Sequence, residues 1–110
     1  MGRYITTTGT AGNTIREISA AYNAQVNDRI LVNTASTAIT ITLPAPSVLF
    51  LNDTIQIIDI SGNASTNNIT VARNGSKIQN ITDDLTIDIN GAIITLIYSG
   101  ASFGWIVASA

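Results

Sequence analysis

The chain offers seven carboxylates and five cations, and it contains neither histidine nor cysteine. Without histidine it lacks the commonest general base, the commonest zinc ligand and the side chain that titrates near neutral pH. Without cysteine, disulfides and thiolate metal sites are excluded. Glycoside hydrolysis would need two carboxylates about 5–10 Å apart across a sugar ring. Asp83 and Asp84 are adjacent, so on an extended strand they point to opposite faces. Asp53 and Asp59 lie at the two ends of one strand, about 20 Å apart at full extension. A pair formed between strands stays open at this level. Calcium would take roughly six to eight oxygens, several of them carboxylate. Asp59, Asn63, Asn67 and Asn68 cluster in one stretch but include a single charge, so Asx-turn hydrogen bonding is the expected role. Gly62-Asn63-Ala64 lacks the Lys-Ser/Thr of a phosphate loop. The triplets at Asn52, Asn63, Asn68 and Asn80 match a glycosylation pattern by composition alone. No catalytic residue, cofactor or metal is expected, and the chain reads as a non-enzyme.

Composition turns the question towards partners. The 110 residues suit one domain; 45% are hydrophobic and 11% charged, with a net charge of −2. Ordinary soluble domains carry about 25% charged residues. A surface this poor in charge is expected to be partly hidden in an oligomer or assembly. No basic field is present for phosphate neutralisation, so no nucleic-acid partner is expected. No Lys/Arg-rich amphipathic segment or long apolar run points to a membrane. The opening Met1-Gly2-Arg3-Tyr4 is not followed by the apolar core of a signal peptide, and a complete small gene product is expected.

Ile, Thr and Val, which suit a pleated surface, are abundant, and Glu17 is the only glutamate. Ile39, Ile41 and Leu43 alternate with threonines until Pro44-Ala45-Pro46 stops the strand. Asp53 to Ile60 has Ile55 and Ile57 on one face and Ile58 and Ile60 on the other, so both faces are expected to be covered. Ile69 and Val71 form the next strand. Asn74-Gly75 predicts a type I′ hairpin joining a strand that ends at Arg73 to one that starts at Ser76. Asn90-Gly91 predicts a second hairpin, between Leu85–Ile89 and Ala92–Tyr98. A turn through Gly104 leads into Trp105-Ile106-Val107. Over Ile15–Gln25, Ile15, Ile18, Tyr22 and Val26 could share a helical face, but a strand and a loop are preferred. About eight short strands with hairpin turns predict an all-β fold: an antiparallel β-sandwich or jelly-roll-like domain over residues 26–110. Residues 1–25 are small and polar and are read as an extended N-terminal arm that pairs with a neighbouring subunit, with Tyr4 and Ile5 as contacts, or else as a frayed end.

Other interface candidates are near turns. Phe103 and Trp105 share a face by strand alternation and are expected in the core or at a subunit interface, with stacking on a sugar or receptor as the sharper reading. Arg73 and Lys77 flank Asn74-Gly75, as solvated edge charges or as partners in an inter-subunit ion pair.

A pattern of strands and turns carries one resemblance. It comprises Arg29-Ile-Leu-Val-Asn33, Ile39-Thr-Ile-Thr-Leu-Pro44, Asp53-Thr-Ile-Gln-Ile-Ile-Asp59, Gly62-Asn63-Ala64, Thr66-Asn67-Asn68-Ile69-Thr70-Val71, Arg73-Asn74-Gly75 with Ile78, Gly91-Ala-Ile-Ile-Thr-Leu-Ile-Tyr98 and Gly104-Trp105. Over residues 29 to 107 it resembles a module of virion proteins of tailed bacteriophages, cyanophages included. The resemblance implies a structural role in the virion after synthesis in the host cytoplasm. It implies a homotrimer bound to the major capsid protein as a capsid decoration (cement) protein, or else a tail-fibre or receptor-binding tip that meets a host surface glycan or receptor. It brings no catalytic residues.

Overall fold

Alternation of apolar and polar residues sets the strands. The computed structural model describes residues 14–109. The strands are β1 (Thr14–Ile18), β2 (Tyr22–Asn23), β3 (Asp28–Val32), β4 (Ile39–Thr42), β5 (Thr54–Asp59), β6 (Ile69–Ala72), β7 (Leu85–Ile87), β8 (Ile93–Tyr98) and β9 (Trp105–Ser109). A 3-10 turn at Pro46–Val48 separates β4 from β5. The fold is all-β, and the preferred strand and loop over Ile15–Gln25 are found as β1 and β2.

Two sheets form, in the orders β1-β3-β5-β8-β9 and β2-β4-β6-β7. Through β6 the chain changes sheet after every strand. It therefore returns to each sheet running the same way, and β1-β3-β5 and β2-β4-β6 are parallel. The result is a flattened coil of three turns. Then the direction reverses: β7 runs antiparallel to β6, β8 to β5 and β9 to β8.

This corrects the expected antiparallel, jelly-roll-like connectivity. Asn74 and Gly75 do adopt positive φ (50° and 95°), and Ser76 N–H closes the turn on the Arg73 carbonyl at 3.2 Å. The chain after Ser76 does not fold back on β6, whose partner is β7. Instead, Asn74 Nδ2 donates to the Leu43 carbonyl at 2.9 Å, and Trp105 N–H donates to the Lys77 carbonyl at 2.8 Å. The turn is thus tied to the preceding coil and its exit to β9. At Asn90-Gly91 no hairpin forms, because β7 and β8 belong to different sheets. There Gly91 has the positive φ (74°), and the turn carries the chain across the core.

The expected arm ended at residue 25. Its portion from Thr14 onward lies in the sheets, with β1 on β3 and β2 on β4 of the same chain. Tyr4 and Ile5 lie outside the described residues.

The two sheets enclose one core. Ile30, Val32, Ile55, Ile57, Leu96 and Trp105 point into it from the five-stranded sheet, and Ile39, Ile41, Ile69, Val71 and Ile87 from the four-stranded one. Register stacks like on like: Ile39 lies beside Ile69 across the parallel pair, and Ile69 beside Ile87 across the antiparallel one. Each fully buried side chain of this size contributes about 1.5–3 kcal/mol.

Among the described residues, the two sheets end on the N-terminal side in β1 and β2. Arg16 points inward from β1 and pairs with buried Asp28, Nε to Oδ1 at 3.6 Å, while Tyr22 Oη donates to Asp28 Oδ2 at 2.6 Å. Burial, then the Asp28 hydrogen bond and charge, push the Tyr22 phenol up to about 12. An inward-facing charge on an edge strand opposes addition of another strand.

The turns entering β3 and β5 are copies of each other. Gln25 N–H donates to Asp28 Oδ2 and Asp28 N–H returns to the Gln25 carbonyl. Phe50 N–H donates to Asp53 Oδ2 and Asp53 N–H returns to the Phe50 carbonyl. In each, an asparagine takes the left-handed position, Asn27 at φ 68° and Asn52 at φ 75°.

Ile57 has no solvent exposure and lies mid-strand in the central β5. Ile57→Ala is expected to lower unfolding free energy by about 2–5 kcal/mol in urea titration, through lost transfer energy and a cavity.

Candidate functional site

Asp28, Asp53, Asp59 and Asp84 accept backbone N–H groups. At the end of β5, Asp59 is buried. Its Oδ1 accepts from Gly62 N–H at 3.2 Å and Ser61 Oγ at 3.4 Å, and its Oδ2 from Ala64 N–H at 3.1 Å and Gly91 N–H at 2.9 Å. One side chain therefore fastens the β5–β6 crossing to the β7–β8 crossing. Burial alone would raise its pKa. The backbone N–H groups of Gly91, Ala64, Asn63 and Gly62 outweigh that and hold it below the ordinary 3.8. The asparagines once grouped with it as oxygen ligands use their amides elsewhere: Asn67 Nδ2 donates to the Thr34 carbonyl at 2.7 Å and Asn68 Nδ2 to the Ala64 carbonyl at 2.6 Å. Among the described residues, no three Asp or Glu side chains stand together as metal ligands. Asp84 likewise receives Arg73 N–H at 2.9 Å.

Arg73 and Lys77 are turn clamps. Arg73 donates from its guanidinium to the Ser76 carbonyl at 3.1 Å, and Lys77 Nζ donates to the Ser102 carbonyl at 3.2 Å. Phe103 and Trp105 do not share a face. Phe103 is 59% exposed in the β8–β9 turn, whereas Trp105 is wholly buried, edge-on to Tyr98 with ring centroids 5.3 Å apart. Gly104, at φ 74°, breaks the alternation between them. A Cβ at Gly104 would run into the Lys77 carbonyl, so only glycine lets β9 start there.

The surface feature that strand reading half anticipated is the outer face of the five-stranded sheet. Inward residues of β5 and β8 are buried; their alternates Ile58, Ile93 and Ile97 point away from the core. Register aligns them across strands. Leu31 lies beside Ile58, and Ile58 beside Ile93. Thr54 lies beside Ile97, and Ile97 beside Ile106. Between these aliphatic rows runs a polar one, Arg29, Gln56 and Thr95, in which Gln56 Nε2 donates to Thr95 Oγ1 at 3.1 Å. Among the described residues, Glu17 and Arg29, both on the β1–β3 side, are its only charges, so the half made by β5, β8 and β9 carries none of them. Strand alternation could have found this face at Ile93–Tyr98, which is apolar on both sides. Trp105, by contrast, belongs to the core.

No protein-family model matches the chain, and no curated protein matches it.

Two outcomes are expected. Because the Asp59 carboxyl is depressed in the fold, its stabilisation is complete above the unfolded value near 3.8 and is lost as pH falls through the folded one. Asp59→Asn should cost about 3 kcal/mol or more near neutrality and flatten the acid limb of stability against pH, read by thermal melts across pH 2–7. Gly104→Ala should cost more than about 2 kcal/mol in denaturant titration, through backbone strain and collision with Lys77.

Proposed function

We propose that this chain is a structural protein of a tailed-bacteriophage virion, a non-enzymatic, sandwich-like decoration (cement) protein that binds the major capsid protein as a homotrimer. The observation that carries the reading is the uncharged aliphatic half-face of the five-stranded sheet, formed by Ile58, Ile93, Ile97 and Ile106. Its occupant is a sister copy. Three strands spaced about 4.8 Å apart, each about 17 Å long, give this face roughly 250 Å². A stable pair needs about 800 Å² per partner, so this face needs a second surface to complete the contact. A cyclic trimer uses two different surfaces of every subunit, and a capsid contact adds a third. The resemblance of residues 29 to 107 to phage virion modules points the same way.

One observation favours a second reading, a tail-fibre or receptor-binding tip. The three parallel turns through β6 form a stackable coil, the geometry from which an elongated shaft is built.

Light scattering at several concentrations is expected to give the mass of three chains. Ile93→Lys with Ile97→Lys should reduce it to one chain while circular dichroism keeps its β signal. A wild-type monomer would remove the trimer. Cryo-microscopy of the particle then separates the two readings: density on the head supports decoration, and density confined to the tail supports the fibre.

A further inference from the structure

Beside the outer edge of β9 lies a cleft of about 290 Å³ lined by Gln79, Asn80, Ser99, Phe103 and Ile106. One wall is the exposed Phe103 ring. The other is a tight turn. Ile78 N–H donates to the Ile81 carbonyl at 2.9 Å and Ile81 N–H returns to the Ile78 carbonyl at 3.0 Å, with Gln79 and Asn80 at its tip. Both tip residues have positive φ, 54° and 62°. The same chain builds its other turn with two positive φ angles from Asn74-Gly75, the pair that suits this geometry. Placing glutamine at the first left-handed position is strained, and strain of this kind gathers where side chains must be held in place.

Two backbone bonds tie this turn to the segment that carries the ring. Asn80 N–H donates to the Phe103 carbonyl at 3.0 Å, and Gln79 N–H to the Trp105 carbonyl at 2.7 Å. Gln79 Oε1 accepts Val107 N–H at 2.9 Å, which orients its amide. Among the described residues, neither the Gln79 NH₂ nor the Asn80 side-chain amide has a hydrogen-bond partner. Among the described residues, no charged side chain lines the cleft; the Lys77 ammonium donates to the Ser102 carbonyl. The site is therefore suited to a neutral ligand with one apolar face and a rim of hydroxyls.

We propose that this cleft is a saccharide-binding subsite. The Phe103 ring takes the C–H face of a hexose-sized ring through its negative π-face, and the Gln79 and Asn80 amides bind the hydroxyls as donors and acceptors. A few fixed polar groups around an apolar platform are the usual make-up of a small-ligand site, and this cleft is near the lower end of the size range, ~300 Å³. The subsite stands apart from the assembly role: it is at the rim of the five-stranded sheet, and only Ile106 is common to both surfaces.

The test is a heteronuclear NMR titration of the whole protein with methyl glycosides of glucose, galactose, mannose, rhamnose and N-acetylglucosamine, and with adenosine as a flat aromatic control. At least one glycoside is expected to shift the amide signals of Asn80, Phe103 and Gly104 saturably, with millimolar affinity. Phe103→Ala should weaken that binding about tenfold. Asn80→Gly, which suits the left-handed turn and so preserves the fold, should weaken it severalfold. The proposal is overturned if no glycoside moves these signals, if both variants bind like the parent, or if adenosine binds more tightly than every glycoside.

Discussion

A chain that crosses repeatedly between two sheets must take backbone N–H groups through places where water cannot satisfy them, and each one left unpaired costs about as much as a lost hydrogen bond. This molecule meets that demand with aspartates at strand ends. Asp28 takes the part-buried N–H of Gln25 in this way, and Asp53 repeats the same turn at the surface with the N–H of Phe50. Asp59 takes N–H groups from two separate crossings. Remove these acceptors and the coil loses the fixed geometry that brings each strand back in register. The scarcity of charge on the chain takes on a second meaning here, since several of its few carboxylates are committed to holding backbone.

What the sequence made legible follows from this division of labour. Period-two alternation located β4, β5, β6 and β7, and turn signals beside apolar runs located β8 and β9, because inside and outside differ in polarity whichever sheet a strand joins. Sheet membership was not legible for the same reason: alternation says which side chains face the core but is silent on which of two sheets supplies the strand. The Asn-Gly pairs show the limit. Asn74-Gly75 has the backbone angles expected of it, yet its exit chain pairs with β9, and Asn90-Gly91 is an arch between sheets, pulled across the core by Gly91 bonding Asp59. The repeated turn that marks the coil shares only an Asn-Asp pair, Asn27-Asp28 and Asn52-Asp53, too short a signal to stand out in an asparagine-rich chain.

Surfaces were read with similar unevenness. The apolar outer side of β5 was visible in Ile58, but its continuation over Ile93, Ile97 and Ile106 depends on a register that only the folded sheet defines. Phe103 and Trp105 were placed together because alternation was carried through Gly104, where the left-handed backbone resets it. The Gln79-Asn80 turn left no recognisable trace, since glutamine is a residue that the first left-handed position of such a turn ordinarily avoids. Local rules fail there because tertiary bonds from Phe103, Trp105 and Val107 override propensity.

The strand orders β1-β3-β5-β8-β9 and β2-β4-β6-β7 both rise steadily along the chain. No strand has to be inserted between two that are already paired; each adds to the edge left by its predecessor in that sheet. A polypeptide emerging from the ribosome N-terminus first can therefore build the molecule in the order of its synthesis, with every completed turn acting as the template for the next. Growth in that direction ends when β7, β8 and β9 reverse the strand polarity. Thereafter the Gln79–Trp105 and Gln79–Val107 bonds cap the outer edge of β9 along Trp105 to Val107, so the strand that completes this sheet is also held back from recruiting another chain.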